Sequence, residues 1–274
     1  MRSGRDMGGT AGSGMKILVP VKQVSILDDQ VELDGSAVLD NDALEWEVNE
    51  WDTFSLEAAL QLAEAEPGSE VVAVTIGGQE AEEGLLACLA KGADRAIQVD
   101  DPCLANADSL AVAAALAAVA RREAPDLIVC GVQSSDTAQA TTGVALAGLL
   151  DIAHVAVINA LEKDDQQITV QRELEGGTVE VLRVRLPALL TVQTGTNKPR
   201  YATLRAIKQA QAKPYERLGL TDVGLSPADI ETSTGSRTRN LSFRRQDAAA
   251  TMLDGPPGEI ATRILEIVQE AMQR

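Results

Sequence analysis

The chain has 274 residues, 45% hydrophobic and 24% charged, enough to bury a real core. A wholly disordered chain, a collagen and a disulfide scaffold are excluded. Its 24 basic and 41 acidic side chains leave a net charge of −17. Such a surface repels phosphate backbones and anionic lipid, which argues against nucleic-acid and membrane partners.

The longest apolar run, Leu110–Ala120, falls short of the ~20 residues a membrane span needs. No charged region followed by an apolar stretch opens the chain, so a secreted precursor is not expected. Three cysteines without metal-ligand spacing (Cys88, Cys103, Cys130) fit a reducing cytoplasm. A single histidine, His154, leaves little material for triads or histidine-rich metal sites.

Residues 1–14 hold five glycines and no apolar period, and read as a disordered tail. From Lys16 onward strand and helix alternate. Ile17–Val21 is the first expected strand. Asp52–Ala65 carries apolar residues at helical spacing and ends at Pro67–Gly68. Glu70–Ile76 is a buried-type strand, closed by Gly77–Gly78. Glu80–Lys91 is an expected helix capped by Gly92. Arg95–Val99 is a strand, Asn106–Arg122 an Ala-rich helix and Asp126–Cys130 a fourth strand. Gly131–Ala138 is a polar loop leading into a helix at Gln139–Leu150, and Val155–Asn159 is a fifth strand.

This rhythm predicts βαβ units in a doubly wound, Rossmann-like α/β layer with a parallel sheet. After Ala160 it changes. Gln167–Glu173 and Thr178–Arg185 alternate around Glu175–Gly176–Gly177, an antiparallel hairpin pattern, and Ala188–Gln193 adds a strand. Residues 216–274 read as an extended arm with one terminal helix, Pro257–Met272. Such an arm buries little on itself and suits a partner surface. The expected division is therefore tail 1–14, nucleotide-binding domain 15–215 and arm 216–274. Charge is segregated too. Leu27–Asp52 has ten acidic residues and no Lys or Arg, whereas Arg183–Lys213 has seven basic residues and no acid. The two readings of this are solvated faces or docking surfaces.

In an open parallel sheet, ligands bind beyond the C-terminal strand ends near the switch in strand order. The loop Gly131–Thr142 leaves a strand there and enters a helix N-terminus, whose free N–H groups and dipole favour an anion. Thr141 and Thr142 add hydroxyls. No GxGxxG, GxxxxGK[ST] or Gly-x-Ser-x-Gly occurs at the expected places, and Asp136 is the loop's one carboxylate. A nucleotide pocket without catalytic machinery is the expectation. Asn49–Leu60 (NEWDTFSLEAAL) opens a helix at the same sheet end. Asp52 or Thr53 is its candidate cap, and Asn49 offers a donor and an acceptor to an adenine edge.

Several segments in order, MKILVPVKQV at Met15–Val24, NEWDTFSLEAAL, AKGADRAIQV at Ala90–Val99, GVQSSDTAQATTG from Gly131 to Gly143, RELEGGTVEVLRVRLPALLTV at Arg172–Val192 and NKPRYATLRAIKQAQAKP at Asn197–Pro214, resemble the β subunit of electron transfer flavoprotein. The forms Asn49-Glu50-Trp51-Asp52, Val132-Gln133-Ser134-Ser135-Asp136 and Asn197-Lys198-Pro199-Arg200 resemble the subgroup serving a trimethylamine-type dehydrogenase.

The resemblance implies a heterodimer. Its α subunit holds most of a redox FAD, this chain holds a structural AMP, and electrons pass from a flavin-dependent dehydrogenase to a quinone-linked acceptor without turnover by this chain. By position, the AMP pocket would take Pro20, Asn49, Glu50, Trp51, Asp52, Ile76, Gly131, Val132, Gln133, Ser134, Ser135, Asp136, Thr137, Ala138, Gln139, Ala140, Thr141 and Thr142. Pro20–Leu27 would lie near the flavin. Thr194, Gly195, Thr196, Asn197, Pro199, Arg200 and Tyr201 would meet the dehydrogenase.

Two departures matter. Gly195-Thr196 replace a docking Leu or Ile, a loss of roughly 1.5–3 kcal/mol of burial. Val132 replaces a Lys in the nucleotide loop, which favours AMP over a second, bifurcating FAD. Besides that bifurcating form, a stand-alone adenine-nucleotide sensor and a nucleotide-hydrolysing enzyme of the same fold are the alternatives. The arm and the hairpin speak against the sensor, and the missing motifs against the enzyme.

Overall fold

The computed structural model describes residues 14–26, 45–105, 107–164, 167–238, 250 and 252–272. The expected tail therefore lies outside the described residues except for Gly14, and so does most of the acidic stretch, residues 27–44.

Among the described residues there are twelve strands and seven α-helices. The strands are β1 (Lys16–Pro20), β2 (Gln23–Ile26), β3 (Glu45–Val48), β4 (Glu70–Ile76), β5 (Arg95–Val99), β6 (Leu127–Gly131), β7 (Ala153–Ile158), β8 (Ala160–Asp164), β9 (Gln167–Glu173), β10 (Val179–Arg185), β11 (Ala188–Val192) and β12 (Tyr215–Leu218). The helices are α1 (Glu50–Ala65), α2 (Ala81–Lys91), α3 (Ser109–Glu123), α4 (Thr142–Leu150), α5 (Leu204–Ala210), α6 (Pro227–Ser233) and α7 (Pro257–Met272).

Seven strands form one sheet in the order β12-β5-β4-β1-β6-β11-β7, and every pairing in it is parallel. Strands so placed are buried on both faces and read as continuous apolar runs. Ile17, Leu18, Val72, Val74, Ile97, Leu127, Ile128, Leu189 and Leu190 are at most 1% exposed. One face packs Leu56, Leu60, Leu85 and Leu89 of α1 and α2, and the other packs Leu116, Val119 and Leu146 of α3 and α4. This is the expected doubly wound α/β layer. The expected hairpin is β9–β10, to which β8 adds a third antiparallel strand.

The structure departs from the expected elements where pairing is long-range. The expected strand at Ala188–Gln193 is β11. It returns to the central sheet between β6 and β7. β2 and β3 pair as a small antiparallel ribbon with no strong apolar alternation. β12 adds to the outer edge beside β5, and Leu220 and Ile230 beyond it are 1% and 3% exposed. The fold thus runs past residue 215, up to α6. Among the described residues, α7 has no buried residue.

Candidate functional site

The chain runs from β1 to β4 and β5 on one side, then to β6 on the other. The switch point lies between β1 and β6, whose C-terminal ends bring three pieces of chain together. These are Val21–Lys22 after β1, the N-terminus of α1, and the loop from Gly131 to Thr141.

Asp52, in the first turn of α1, joins the two strand ends. Its Oδ2 accepts the N–H of Lys22 at 2.8 Å, and its Oδ1 accepts the N–H of Gly131 at 3.2 Å. It is 6% exposed. Burial pushes its carboxyl up to about 7, against the N–H bonds and the Lys22 charge that favour ionisation. The contact is possible because residue 131 is glycine. A Cβ there would stand 2.3 Å from Asp52 Oδ1 and 2.7 Å from the Trp51 Cβ.

Asn49 does not face outward with a free amide. It is 1% exposed, its Nδ2 donates to the Gln133 carbonyl at 2.8 Å, and its Oδ1 accepts the N–H of Ser135 at 3.1 Å. Both functions expected for an adenine edge are thus spent on shaping the loop. Nor does Asp52 or Thr53 cap α1. Asn49 occupies the cap position without a side-chain bond, Asp52 lies inside the helix, and the Thr53 hydroxyl donates to the Glu50 carbonyl at 2.7 Å. Trp51 turns its indole N–H to Gln193 Oε1 at the end of β11, at 2.8 Å.

The loop itself is held by Lys22. Lys22 Nζ lies 2.8 and 2.6 Å from the two Asp136 oxygens. Burial alone would raise Asp136, but the Lys22 ammonium and the Ser134 hydroxyl outweigh it and hold the carboxyl below its usual range. A cation therefore stands at this loop although Val132 is not one, since the topology delivers it from β1. The local pattern gave no sign of this, because Lys22 is 114 residues from Asp136.

The helix after the loop starts at Thr142, three residues later than the expected Gln139. Ala138 and Ala140 have φ of 48° and 52°, left-handed geometry that interrupts a helix and is strained for alanine. The Thr141 hydroxyl is engaged with Ser109 Oγ at 2.8 Å, and Gln139 Oε1 accepts from the same serine at 2.6 Å. Thr141 consequently places no side-chain oxygen on the first amides of α4, and among the described residues no other side chain does. Residues 135–141 are exposed. Pro20, with Val21 and Thr75 bonded at 2.8 Å, and half-buried Ile76 lie at the same sheet end. Glu50 is exposed on the first turn of α1.

The segment after β11 lies along α1. The Thr196 hydroxyl turns back to its own chain, 2.7 Å from the Gln193 carbonyl, and so is not a projecting anchor. Arg200 pairs with Glu57 and Glu64 of α1. Lys213 Nζ donates to the Leu89 and Ala93 carbonyls at the C-terminal end of α2. Two of the seven cations of the basic stretch are therefore internal. Tyr201 is 92% exposed. Among the described residues no cluster of three metal-ligating side chains occurs, and no helix is long and apolar enough to cross a membrane.

Comparison with known proteins places the chain in a family. A family model described as the electron transfer flavoprotein domain matches residues 36–223. The chain is 43% identical to an electron transfer flavoprotein subunit beta from Methylophilus methylotrophus over 262 residues, 93% of this chain and 98% of the relative. It is 32% identical to the subunit beta of Bacillus subtilis over 256 residues, again 93% and 98%. It is also 35% identical over 215 residues to subunit CarD of a caffeyl-CoA reductase–Etf complex from Acetobacterium woodii, 78% of this chain and 81% of that one. With a parallel sheet of the expected kind, an antiparallel addition and near full-length identity to several β subunits, this chain belongs to the electron transfer flavoprotein family as a β subunit.

Proposed function

We propose that the chain binds AMP at the switch point of its sheet, pairs with an α subunit that carries most of the FAD, and relays no chemistry of its own. The observation that carries the AMP reading is the start of α4. Its first amides have no side-chain acceptor, and they sit behind a loop braced by Asn49, Asp52 and Lys22. A phosphate supplies the missing acceptors, and the helix dipole favours its charge. Asn49 and Asp52 hold the loop, and the alanines at 138 and 140 turn it with small side chains. FAD supplies the one-electron chemistry when bound. This chain forms part of its surroundings through the segment after β1, and it tethers the partner. A flavin-dependent dehydrogenase of the trimethylamine type as donor and a quinone-linked acceptor complete the reading. The residues assigned to donor docking are 194–201. A cytoplasmic setting fits three free thiols, two of them buried.

The arm is read as packing on the α subunit. α7 presents Ile264, Leu265, Ile267 and Val268 at 43–57% exposure and Met272 at 83%, an apolar face that water disfavours.

Ala140→Asp tests the nucleotide site. Aspartate accepts left-handed geometry better than alanine and is favoured beside a helix N-terminus, so stability should hold. Its carboxylate would occupy the place of the phosphate. AMP affinity, measured by calorimetry on the nucleotide-stripped heterodimer, should fall at least tenfold, and unchanged affinity would remove the site. The second reading, a bifurcating form with two FAD, has the likeness to subunit CarD in its favour. Acid extraction and chromatographic counting decide it: one FAD and one AMP per heterodimer, or two FAD and no AMP.

A further inference from the structure

Between β11 and α5 the chain is fastened along one face of α1 at four positions. Gln193 Oε1 accepts the Trp51 indole N–H at 2.8 Å and the N–H of Thr194 at 2.9 Å. Asn197 Nδ2 donates to the Phe54 carbonyl at 2.9 Å. Arg200 donates to Glu57 through Nε at 2.8 Å, through Nη2 at 3.0 Å and through its backbone N–H at 3.1 Å. The same guanidinium donates to Glu64 through Nη1 at 2.5 Å and Nη2 at 3.2 Å. Residues 51, 54, 57 and 64 recur at spacings that share a helix face.

Glu57 is the unusual member. It is 4% exposed. Burial alone would raise its carboxyl, but the Arg200 bonds outweigh this and hold it below the usual range. A buried carboxylate needs its cation, and a planar fork satisfies both oxygens at once. Arg200 is therefore engaged inward. The groups left facing solvent are Gly195, Lys198 and Tyr201, with Leu204 beyond them at 82% exposure. A tyrosine and a lysine on a fastened loop are preordered, and a surface ordered before encounter loses less freedom on binding.

We propose that Glu57, Glu64 and Gln193 are positioning residues for partner docking, acting through Arg200 and Thr194 to hold 194–201 as a preformed surface that presents Lys198 and Tyr201. This rests on the reading of 194–201 as the docking segment. Arg200 is then part of the frame and not a contact.

The test uses the purified heterodimer, wild type and the variants Glu57→Gln, Gln193→Met and Glu64→Gln, the last on a side chain exposed enough to leave folding intact. Hydrogen exchange of peptides spanning 194–201, with no dehydrogenase present, should quicken at least tenfold in Glu57→Gln and Gln193→Met. A smaller rise is expected in Glu64→Gln, and peptides from β6 and β11 should not change. Unchanged exchange in all three variants overturns the proposal. With trimethylamine dehydrogenase as reductant, the KM for the heterodimer should rise at least fivefold in Glu57→Gln, with kcat within twofold and FAD content constant. Loss of kcat together with FAD would show a merely structural role and overturn it. Quickened exchange with an unchanged KM would overturn the docking reading of 194–201 and the positioning role with it. A wild-type heterodimer that this dehydrogenase does not reduce would overturn only the donor assignment, and the exchange result would still decide the frame.

Discussion

Asp52→Asn is expected to flatten the stability of the chain between pH 5 and 8. The native carboxyl stands at about 7 against an ordinary 3.8, raised by burial. Between those values the native state holds a proton that the unfolded state has released. Stability therefore falls as pH rises through this window and stays low above it. A shift of about three units corresponds to roughly 4 kcal/mol. The carboxyls of Glu57, Glu123, Asp136 and Asp108 are shifted the other way. Their stabilisation is present above the ordinary carboxylate range and lost below it, so they do not mask the window.

The groups nearest Asp52 do not titrate there either. Burial pushes the thiols of Cys88 and Cys130 upward, Cys88 to about 12. Asparagine cannot ionise, and it offers one oxygen where two N–H groups ask for acceptors. A lost bond of about 1–3 kcal/mol is expected at pH 5, and the gap to wild type should close by pH 8. Urea titrations at four pH values give the comparison. A variant that keeps the wild-type slope would show that another group carries the effect.

Removal of residues 252–274 is expected to abolish stable pairing with the α subunit and leave the fold of this chain intact. Among the described residues no side chain of α7 is buried, so the domain should lose little packing. Burying four of its large apolar side chains on a partner, at about 1.5 kcal/mol each, amounts to roughly 6 kcal/mol, or about four orders of magnitude in Kd. Sedimentation of the co-expressed chains reads the heterodimer directly, and an equally tight truncated complex would place the interface elsewhere. The urea midpoint of the truncated chain should match that of the full one.

Local pattern was enough for the core of this protein. The runs at β1, β4, β5 and β6 are mainly apolar because both faces of a parallel strand are covered, with Thr75 and Gln98 as buried polar exceptions. The spacing in α1, α2 and α3 follows from one buried face. The polar loop between β6 and α4 was legible too, since a strand, a polar stretch and a helix start follow one another directly. What the sequence did not contain was any bond between distant segments.

The place of β11 between β6 and β7, and the addition of β12 at the far edge, come from backbone pairing, which carries no period in the sequence. Asn49 looked like a nucleotide contact because its amide is bifunctional. Only the fold shows that residues 133 and 135, more than eighty positions away, take both functions. Nothing local to Lys22 or Gln193 announces its partner, yet one braces the loop and the other receives Trp51. Composition and periodicity determine which residues leave water, and so they determined the class of fold. Which polar groups are spent on the frame and which stay free depends on partners brought together by chain topology, and tertiary structure alone decided that.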